Sequence, residues 1–392
     1  MAFPERFSQL PPYAFPRLRA LLDGHEPGDA PVAMSIGEPT HAMPDFLAEV
    51  LTANLSGFAK YPANEGTPEL LSAILGWLAR RYGAEALTPD NLIALNGTRE
   101  GLFAAGLALC PEEKAGAKPV VLTPNPFYQV YAVAALAASA EPVYVSATEE
   151  TGFLPDYAAL PKEILDRTAL AYICSPSNPQ GAVAGRDYWR SLLQLAEAHD
   201  FIILADECYS EIYRDAPPTG LLEVAREEGA DPERVVAFHS LSKRSNLPGL
   251  RSGFAVGGRQ AIARMRQLRA YAGAPLPLPL QAVSARAWDD EAHVEANRAL
   301  YAEKYRIADR ILGKLPGYQP PQAGFFLWLP VEDGEAAALK LWQETGVTVL
   351  PGAYLGRETA VGNPGQGYIR VAMVAPKDDM QRGLQRLRDC LA

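Results

Sequence analysis

A lysine, two serines and an arginine follow a short apolar run in the second half of the chain. The run at residues 235–238 predicts a buried strand, so Lys243 would stand just beyond the end of that strand. A lysine that is partly desolvated near other cations has a lowered pKa, and its free amine can form a Schiff base with a carbonyl. The hydroxyls of Ser240 and Ser242 and the guanidinium of Arg251 suit a phosphate group. Together these residues predict a reactive lysine beside a phosphate site.

That pairing suggests the cofactor pyridoxal phosphate, which carries both an aldehyde and a phosphate. A lysine taken at random is more often a solvated surface residue, so the prediction depends on the neighbours of Lys243. In open parallel sheets, ligands bind beyond the carboxyl ends of the strands. The polar residues that follow the other apolar runs are therefore the next candidates.

One of these runs, at residues 92–95, leads into a helical pattern at residues 101–109. The backbone amides of Thr98 and Arg99 would then be free at the N-terminus of a helix, and such amides bind phosphate. The alternative is that Thr98 is an ordinary helix N-cap. Both readings place these two residues at the start of the helix.

Two further apolar runs end in polar residues that suit a pyridine ring. The run at 170–174 is followed by Asn178, and the run at 201–205 is followed by Asp206 and Tyr209. An acid directly after five apolar residues should be partly buried, and it then needs a cationic partner such as a protonated pyridine nitrogen. Asn178 and Tyr209 would hydrogen-bond the oxygen of the ring hydroxyl. Taken singly, Asp206 would be a helix cap or salt-bridge partner, and Asn178 a turn residue.

The elements that must position these residues alternate between apolar runs and helical patterns from about residue 45. Such alternation implies a mostly parallel sheet covered by helices on both faces. We therefore predict an α/β protein, with a mostly parallel seven-stranded sheet between helices and a smaller α+β domain. The predicted strands are 92–95, 120–123, 143–145, 170–174, 201–205, 235–238 and 253–256.

A chain of 392 residues is too long for one simple core and predicts two domains. Residues 1–44 would form an N-terminal arm and part of the small domain, and residues 45–287 the large cofactor-binding domain. Residues 288–392 would form an interdomain helix and the small C-terminal domain. Prolines at positions 275, 277 and 279 should interrupt helix formation before an amphipathic helix at 288–312.

The composition narrows the class of partner. Hydrophobic residues make up 48% and charged residues 21%, a balance that argues against disorder. The net charge of -10 disfavours nucleic acid or an anionic membrane as partner, because both require a basic face. Four scattered cysteines show no spacing that suits zinc or a redox motif, so no metal site is predicted. Without a signal peptide or an apolar run of about 18 residues, we expect a cytoplasmic protein.

Four motifs in combination resemble one protein family over nearly the whole chain. They are Asn178-Pro179-x-Gly181, Asp206-x-x-Tyr209, Ser240-x-x-Lys243 with Arg251 eight residues later, and a late Arg370. This combination is similar to the class I, fold-type I, pyridoxal-phosphate-dependent aminotransferases. A departure is Gln180, where many relatives carry threonine, and it should not affect the chemistry.

The resemblance implies roles for the residues around the cofactor. Lys243 would bond covalently to the cofactor and shuttle the substrate proton, and Asp206 would face the pyridine nitrogen. Lys243, Asp206 and Tyr209 are the predicted catalytic residues. The predicted cofactor-binding residues are Thr98, Arg99, Tyr128, Asn178, Asp206, Tyr209, Ser240, Ser242, Lys243, Arg251 and, from a neighbouring subunit, Tyr61.

Two aromatic residues carry further implied roles. Tyr128 is similar to the aromatic residue that stacks on the pyridine ring, with Phe127 as the alternative and ordinary packing possible for both. Tyr61 resembles the tyrosine that reaches the phosphate of the neighbouring subunit. The resemblance therefore implies a homodimer with shared active sites.

The substrate would be an α-amino acid held by three residues. Arg370 resembles the arginine that binds the α-carboxylate, a task suited to its planar fork. Gly37 would lie against the substrate, and Asn178 would contact it beside Arg370.

Longer segments resemble one branch of the family. Residues 125–131, 240–254 and 288–294 are similar to N-succinyldiaminopimelate aminotransferases of bacterial lysine biosynthesis, whereas residues 271–277 depart from them. The resemblance implies transfer between N-succinyl-LL-2,6-diaminopimelate and 2-oxoglutarate or glutamate. Because this substrate carries extra carboxylates, the pocket should offer a cation beyond Arg370. Arg17 and Arg99 are candidates, and a surface position is the alternative for Arg17.

Other functions stay open at this point. Another class I aminotransferase would act on N-acetylornithine, aspartate, alanine or an aromatic amino acid, and a carbon–sulfur β-lyase would use the same scaffold. A ligand-sensing regulator would need an attached basic DNA-binding domain, for which no residues remain. A cofactor-free oxidoreductase is disfavoured because no G-x-G-x-x-G follows a first strand.

Overall fold

The computed structural model describes residues 5–8, 10 and 12–392. Residues 1–4, 9 and 11, which belong to the predicted N-terminal arm, lie outside the described residues. The strands are β1 Val32–Ala33, β2 Leu92–Leu95, β3 Val120–Asn125, β4 Glu141–Ser146, β5 Thr168–Cys174, β6 Ile202–Asp206, β7 Val235–Ser240, β8 Gly253–Gly257, β9 Phe326–Pro330, β10 Val347–Thr348, β11 Leu350–Pro351 and β12 Tyr368–Ala372.

Helices separate most of these strands. The α-helices are α1 Ala14–Leu22, α2 Leu47–Ala53, α3 Pro68–Tyr82, α4 Thr98–Leu109, α5 Val130–Ala137, α6 Lys162–Arg167, α7 Arg186–His199, α8 Leu221–Glu228, α9 Leu241–Arg244, α10 Arg259–Ala272, α11 Leu278–Asp289, α12 Ala292–Leu312, α13 Gly334–Thr345 and α14 Lys377–Leu391. Within the described ranges, none of these helices combines the length and apolar character needed to cross a membrane.

The largest sheet has seven strands in the order β2-β8-β7-β6-β5-β3-β4. Strand β8 runs antiparallel to both of its neighbours, and the other pairings are parallel. The predicted mostly parallel seven-stranded sheet is therefore confirmed. Because β3, β5, β6 and β7 point the same way, their carboxyl ends meet at one edge of the sheet.

Helices cover this sheet on both faces, as the alternation of buried side chains requires. In β7, Val235 and Ala237 belong to the cluster that contains Trp189, whereas Val236 and Phe238 belong to the cluster on the opposite face. All five side chains are essentially inaccessible to solvent. Since both faces are buried, the strands read as continuous apolar runs in the sequence.

A second core forms around the three-stranded antiparallel sheet β11-β12-β9. Strand β1 pairs with β10 and so brings an early part of the chain into this core. The residues that follow β1, which we call the crossing segment (residues 34–42), run from this core towards the large sheet. Ala372 N donates to Met34 O at 2.7 Å, and Thr40 Oγ1 donates to Val374 O at 2.5 Å. The division into domains at residues 44 and 287 stays a prediction.

The predicted single helix at 288–312 is wrong at its start. One helix ends at Asp289, the backbone of Asp290 is extended, and a new helix begins at Ala292. Asp290 Oδ2 accepts from the His293 backbone N–H at 3.0 Å, so the side chain competes for an amide that a continuous helix would use. Trp288 instead ends α11 and packs on Trp77 of α3, with ring centroids 4.8 Å apart.

The prolines near residue 277 interrupt helix formation less than we predicted. Helix α11 begins at Leu278 and includes Pro279 in its first turn. Proline is tolerated there because the first amides of a helix have no partner within it. The same reason lets Pro16 lie in the first turn of α1, which begins at Ala14.

Candidate active site

Two adjoining cavities open near the carboxyl ends of the central strands. The inner cavity has a volume of about 210 Å³ and is lined by most of the residues predicted to hold the cofactor. These are Thr98, Arg99, Tyr128, Asn178, Asp206, Tyr209, Ser240, Ser242, Lys243 and Arg251. The outer cavity, of about 330 Å³, adds Gly37 and Arg370. The fold thus brings residues from distant parts of the sequence to one site.

Lys243 lies in the short helix α9, directly after β7. Its Nζ donates to Gly37 O at 2.5 Å. Burial lowers the pKa of Lys243 to about 8, and Arg370 and Arg251 add to this shift while the carboxylate of Glu38 opposes it. Because half of such a lysine is neutral near pH 8, the free amine needed for a nucleophile is accessible at mildly alkaline pH.

Asp206 is the last residue of β6, and only 3% of its surface is exposed. Tyr131 Oη donates to its Oδ2 at 2.8 Å, and the Cys208 backbone N–H donates to its Oδ1 at 3.4 Å. Burial raises the pKa of Asp206, against the opposing effects of Tyr131, Cys208 and Lys243. Among the described residues, no cationic side chain forms an ion pair with it. A buried carboxylate in this state would be stabilised by a cation entering the cavity.

A set of anion-binding groups lies at the other end of the inner cavity. Helix α4 begins at Thr98 after Gly97, which has a φ of 81°. A side chain at position 97 would collide with Arg251 Nη2, so glycine lets the guanidinium lie beside the helix N-terminus. Ser240 Oγ lies 3.0 Å from Ser242 Oγ in the same wall. A cation, hydroxyls and free amides form a donor set that suits a phosphate dianion.

Arg370 lies in β12, with 4% of its surface exposed. Its Nη1 donates to Asn178 Oδ1 at 2.9 Å, and its Nη2 donates to Ser35 O at 2.8 Å. The guanidinium carbon lies 4.2 Å from the ring centre of Phe326. Burial lowers the pKa of Arg370 to about 10, which Tyr209 partly offsets. A buried guanidinium held only by neutral oxygens can still accept a carboxylate.

Asn178 and Tyr209 stand between the two cavities and line both. Since Asn178 uses its oxygen for Arg370, its amide nitrogen is available to another partner. Tyr209 packs edge-on against Phe325 and Phe326, with centroids 5.4 and 5.9 Å away. Burial raises the pKa of Tyr209 well above its usual value, so its hydroxyl stays protonated and can donate.

Of the two aromatic candidates for stacking, Tyr128 lines both cavities and Phe127 only the outer one. Arg99 Nε donates to Tyr128 Oη at 2.6 Å, which fixes the ring at the cavity wall. Phe127 is 2% exposed and packs against Tyr144 at 5.2 Å. The structure therefore places Tyr128 better than Phe127 to cover a ligand in the inner cavity.

Two candidate residues lie outside both cavities. Tyr61 is fully exposed, at 101% of its reference area. Arg17 stacks on Tyr354 at 3.7 Å and pairs with Glu335 at 3.3 Å. Within this chain, therefore, Tyr61 completes no part of the site, and Arg17 is occupied elsewhere.

The motifs did not single out Tyr131, although it holds Asp206. Its ring stacks on Tyr172 with centroids 4.6 Å apart, and the Tyr172 hydroxyl donates to Leu102 O at 2.7 Å. The available signal was its spacing from Tyr128, since residues three apart at a helix start share a face. The two rings do meet, at 5.8 Å.

Two cysteines also line the inner cavity, although their spacing in the sequence indicated no site. Cys174 ends β5, and Cys208 follows Asp206 by two residues. Burial raises the pKa of both thiols, and the Asp206 carboxylate raises them further. Both cysteines are free, and both thiols are protonated at neutral pH.

Comparisons with known proteins give a single family. The model of the family "Aminotransferase class I and II" matches residues 30–387. The LL-diaminopimelate aminotransferase of Dehalococcoides mccartyi strain 195 is 32% identical, over 99% of this chain and 98% of that protein. The enzyme of the same name from Desulforudis audaxviator is also 32% identical, over 100% and 99%.

Solved structures agree with this result. The aminotransferase of Neisseria meningitidis Z2491 superposes with a TM-score of 0.94 at 39% identity, over 99% of this chain and all of that one. The aminotransferase AspB of Helicobacter pylori 26695 gives a TM-score of 0.90 at 34% identity, over 100% and 99%. The resemblance covers both cores and the cavities between them.

Replacing Tyr131 by phenylalanine tests the hydrogen bond to Asp206. A hydrogen bond to a charged group contributes about 1.5–3 kcal/mol, so its loss should raise the pKa of Asp206 further and weaken the attraction of this carboxylate for a cation in the cavity. We expect kcat for amino-group transfer to fall roughly 10–100-fold with KM nearly unchanged, measured by steady-state kinetics. Tyr172→Phe removes a neighbouring hydroxyl that does not touch Asp206 and serves as control. Equal losses in the two variants would contradict the role of Tyr131.

Proposed function

Because the chain belongs to the class I and II aminotransferases, which depend on pyridoxal phosphate, we propose that it transfers the amino group of a long α-amino acid to 2-oxoglutarate. When bound, pyridoxal phosphate supplies an aldehyde that takes up the amino group and a ring that accepts electrons from the substrate α-carbon. The observation that carries this proposal is Arg370, a buried cation held by neutral oxygens in the same cavity as Lys243.

The inner cavity fits this cofactor at both of its ends. Arg251, Ser240, Ser242 and the N-terminus of α4 would hold the phosphate, because they combine a cation, hydroxyls and free amides. At the opposite end, the buried Asp206 would hold the protonated ring nitrogen and so gain the cation that the described residues do not give it.

The other lining residues would complete the binding of the ring. Asn178 and Tyr209 would donate to its phenolic oxygen, the first from its amide nitrogen and the second from its protonated hydroxyl. Tyr128 would cover one face, and Cys208 lines the same cavity. These contacts fix the ring where Lys243 can reach it.

Lys243 would both hold the cofactor and move the substrate proton. Its lowered pKa leaves part of the amine neutral, which is the form that attacks a carbonyl or accepts a proton. Once released, Nζ would take the proton from the substrate α-carbon and return it to the carbon that carried the cofactor's aldehyde. Gly37 O, 2.5 Å away, is placed to steady the ammonium between these two events.

The α-carboxylate would bind the Arg370 fork. Asn178 and Ser35 O hold the guanidinium from one side, and Phe326 covers its face, so its orientation is set before a substrate arrives. Gly37 lies close to Phe326, and any side chain at position 37 would collide with that ring. Glycine at position 37 therefore lets the backbone pack against Phe326 in the wall of the outer cavity, beside Arg370.

For the substrate side chain we propose N-succinyl-LL-2,6-diaminopimelate. Its distal end carries an amide and two carboxylates but no ammonium. Arg99 lines both cavities with phenols as partners and would bind one of these carboxylates. The outer cavity offers a mostly apolar wall for the chain and amide, formed by Phe15, Ile36, Phe127, Phe326 and Leu355.

A second candidate is unmodified LL-diaminopimelate. The relatives from Dehalococcoides and Desulforudis carry the name LL-diaminopimelate aminotransferase. Among the described residues of the outer cavity, Glu38 is the one carboxylate, and it could pair with a distal ammonium. Because only the free diamine carries a distal ammonium, removing the charge of Glu38 should affect binding of that substrate and not of the succinylated one.

We further propose a cytoplasmic homodimer with shared sites. Tyr61, Phe58 and Leu55 are all at least half exposed on one short stretch, which would suit burial against a second copy. Tyr61 would then reach the phosphate of the partner's site.

Substrate competition tests the proposed function. We expect kcat/KM with 2-oxoglutarate to be at least about tenfold higher for N-succinyl-LL-2,6-diaminopimelate than for LL-diaminopimelate, N-acetylornithine, aspartate, alanine or an aromatic amino acid. Glu38→Gln should leave the succinylated substrate nearly unaffected and lower kcat/KM for the free diamine. Lys243→Ala, the control, should form no glutamate. A higher constant for the free diamine would replace the first candidate by the second, and release of pyruvate and ammonia would indicate a β-lyase.

Arg370→Lys tests the carboxylate site. A lysine keeps the charge but replaces a two-bond fork by a point charge. We expect a loss of roughly 2–4 kcal/mol in transition-state stabilisation, which lowers kcat/KM about 30–1000-fold. Steady-state kinetics, with the amino-acid donor and 2-oxoglutarate each varied in turn, would measure the loss. An unchanged constant would place the α-carboxylate elsewhere.

Hybrid dimers test the shared site. Tyr61→Ala and Lys243→Ala variants should each be inactive or strongly impaired alone, yet mixing them should restore activity through one intact site per hybrid dimer. Activity after denaturation and joint refolding would be compared with that of each variant refolded alone. Absence of recovery, with hybrids demonstrated by native mass spectrometry, would rule out sharing through Tyr61.

A further inference from the structure

The crossing segment, residues 34–42, touches the turn that carries Lys243 at two separate points. Lys243 Nζ donates to Gly37 O, and Asn246 Nδ2 donates to Ala42 O at 3.4 Å. The same segment supplies Ser35 O, which accepts from Arg370. The relative position of Lys243 and Arg370 therefore depends on how this segment is held.

One buried side chain joins the crossing segment, helix α12 and the turn that carries Lys243. We call this turn, residues 241–246, the lysine turn. Asn297 lies in α12 and is 4% exposed. Its Oδ1 accepts from Asn246 Nδ2 at 3.0 Å and lies 2.8 Å from His41 Nδ1. Its Nδ2 donates to the backbone oxygen of Lys243 at 3.5 Å. Three pieces of chain thus meet at one amide.

The chemistry of these groups fixes which way the Asn297 amide points. Asn246 Nδ2 meets two oxygens, Ala42 O and Asn297 Oδ1, so it must be the donor to both. Turning the Asn297 amide over would set its NH2 against that of Asn246 and its oxygen against Lys243 O. Both ends of the amide therefore require the same orientation.

His41 must then present an N–H at Nδ1. Burial lowers the pKa of His41, with Asn297 opposing the shift and Lys304 adding to it, so the ring is neutral at neutral pH and has one N–H. That N–H points at Asn297 Oδ1. The ring itself packs on Tyr301 of α12, with centroids 4.6 Å apart, and cannot easily turn away.

We propose that Asn297, oriented by His41, is a positioning residue for Lys243. It ties the backbone of the lysine turn to α12 and to the crossing segment, so that the amine keeps a fixed relation to Gly37 and, through Ser35, to Arg370. This inference rests on the proposed function, because Lys243 must be the lysine that bonds to the cofactor. A displacement of about 1 Å at such a site can cost about 100-fold in rate.

Asn297→Leu and His41→Phe test the proposal. Leucine keeps the size of Asn297 without its polar atoms, and phenylalanine keeps the contact of His41 with Tyr301 without the N–H. Full-length protein freed of cofactor would be mixed with pyridoxal phosphate, reduced with borohydride at timed intervals and digested, and the modified Lys243 peptide quantified by mass spectrometry. We expect each variant to acquire the label about tenfold more slowly than the wild type.

Tyr305→Phe is the matched control. Tyr305 lies on the same helix, is equally buried, and loses one hydrogen bond to a backbone oxygen, that of Gly324, without touching the lysine turn. We expect it to label Lys243 at the wild-type rate. A loss as large as in the two test variants would mean that α12 acts through its general stability, and the proposal would fail.

The double variant shows whether His41 acts through Asn297. If they form one chain, labelling in His41→Phe/Asn297→Leu should be no slower than in Asn297→Leu alone. Multiplied effects would overturn the assignment of His41. Should Asn297→Leu not fold, as judged by its circular dichroism and Tm, the labelling rate of His41→Phe decides alone.

The wild type separates this inference from the function it rests on. If the wild type acquires no label at Lys243, the proposed function fails. If the wild type is labelled there and both variants are labelled equally fast, the function stands and the positioning role of Asn297 is refuted.

Discussion

Burial of charge without a protein counter-ion is the constraint on which the rest of this structure depends. Asp206, Lys243 and Arg370 surround connected cavities, and the described residues supply none of them with an opposite charge in contact. Leaving charges in this state costs free energy, which the surrounding cores must offset. Under the proposed function, the ring nitrogen would supply the missing charge beside Asp206 and the substrate carboxylate the one beside Arg370, whereas Lys243 would bond covalently to the aldehyde.

The register of the parallel strands fixes where these charged side chains lie relative to one another. Cys174 of β5 stands opposite Asp206 of β6, and Asp206 stands opposite Phe238 of β7, two residues before the end of that strand. A shift by one residue would turn every side chain to the opposite face, where the packing partners are different, so packing on both faces fixes the register. The second core then contributes Arg370 and, through β1, the crossing segment. The two cores thus meet at the small cavities that hold these side chains.

The sheet and many residues of the candidate site could be predicted from the sequence, because apolar runs followed by polar residues mark the ends of buried strands. Continuous apolar runs predicted the seven-stranded sheet, and the polar residues after them, such as Asn178 and Asp206, were found in one cavity. Tyr131 was missed because its role depends on the packing of one helix against the sheet, not on a motif. Asn297 and His41 are 256 residues apart, and nothing local in either segment signals their contact. The helix break at Asp290 was missed because one side-chain hydrogen bond outweighed a continuous helical pattern.

The two cysteines give the buried site a chemical selectivity. A thiol beside an aldehyde would compete with the lysine amine as a nucleophile. Burial disfavours the charged form of each group, and for the two kinds of group the charged form has opposite reactivity. It raises the pKa of Cys174 and Cys208 and so removes the reactive thiolate, while it lowers the pKa of Lys243 and so supplies the reactive amine. Burial therefore suppresses the soft nucleophiles and favours the neutral form of the hard one, and the nearby charges of Asp206, Arg251 and Arg370 act in the same direction.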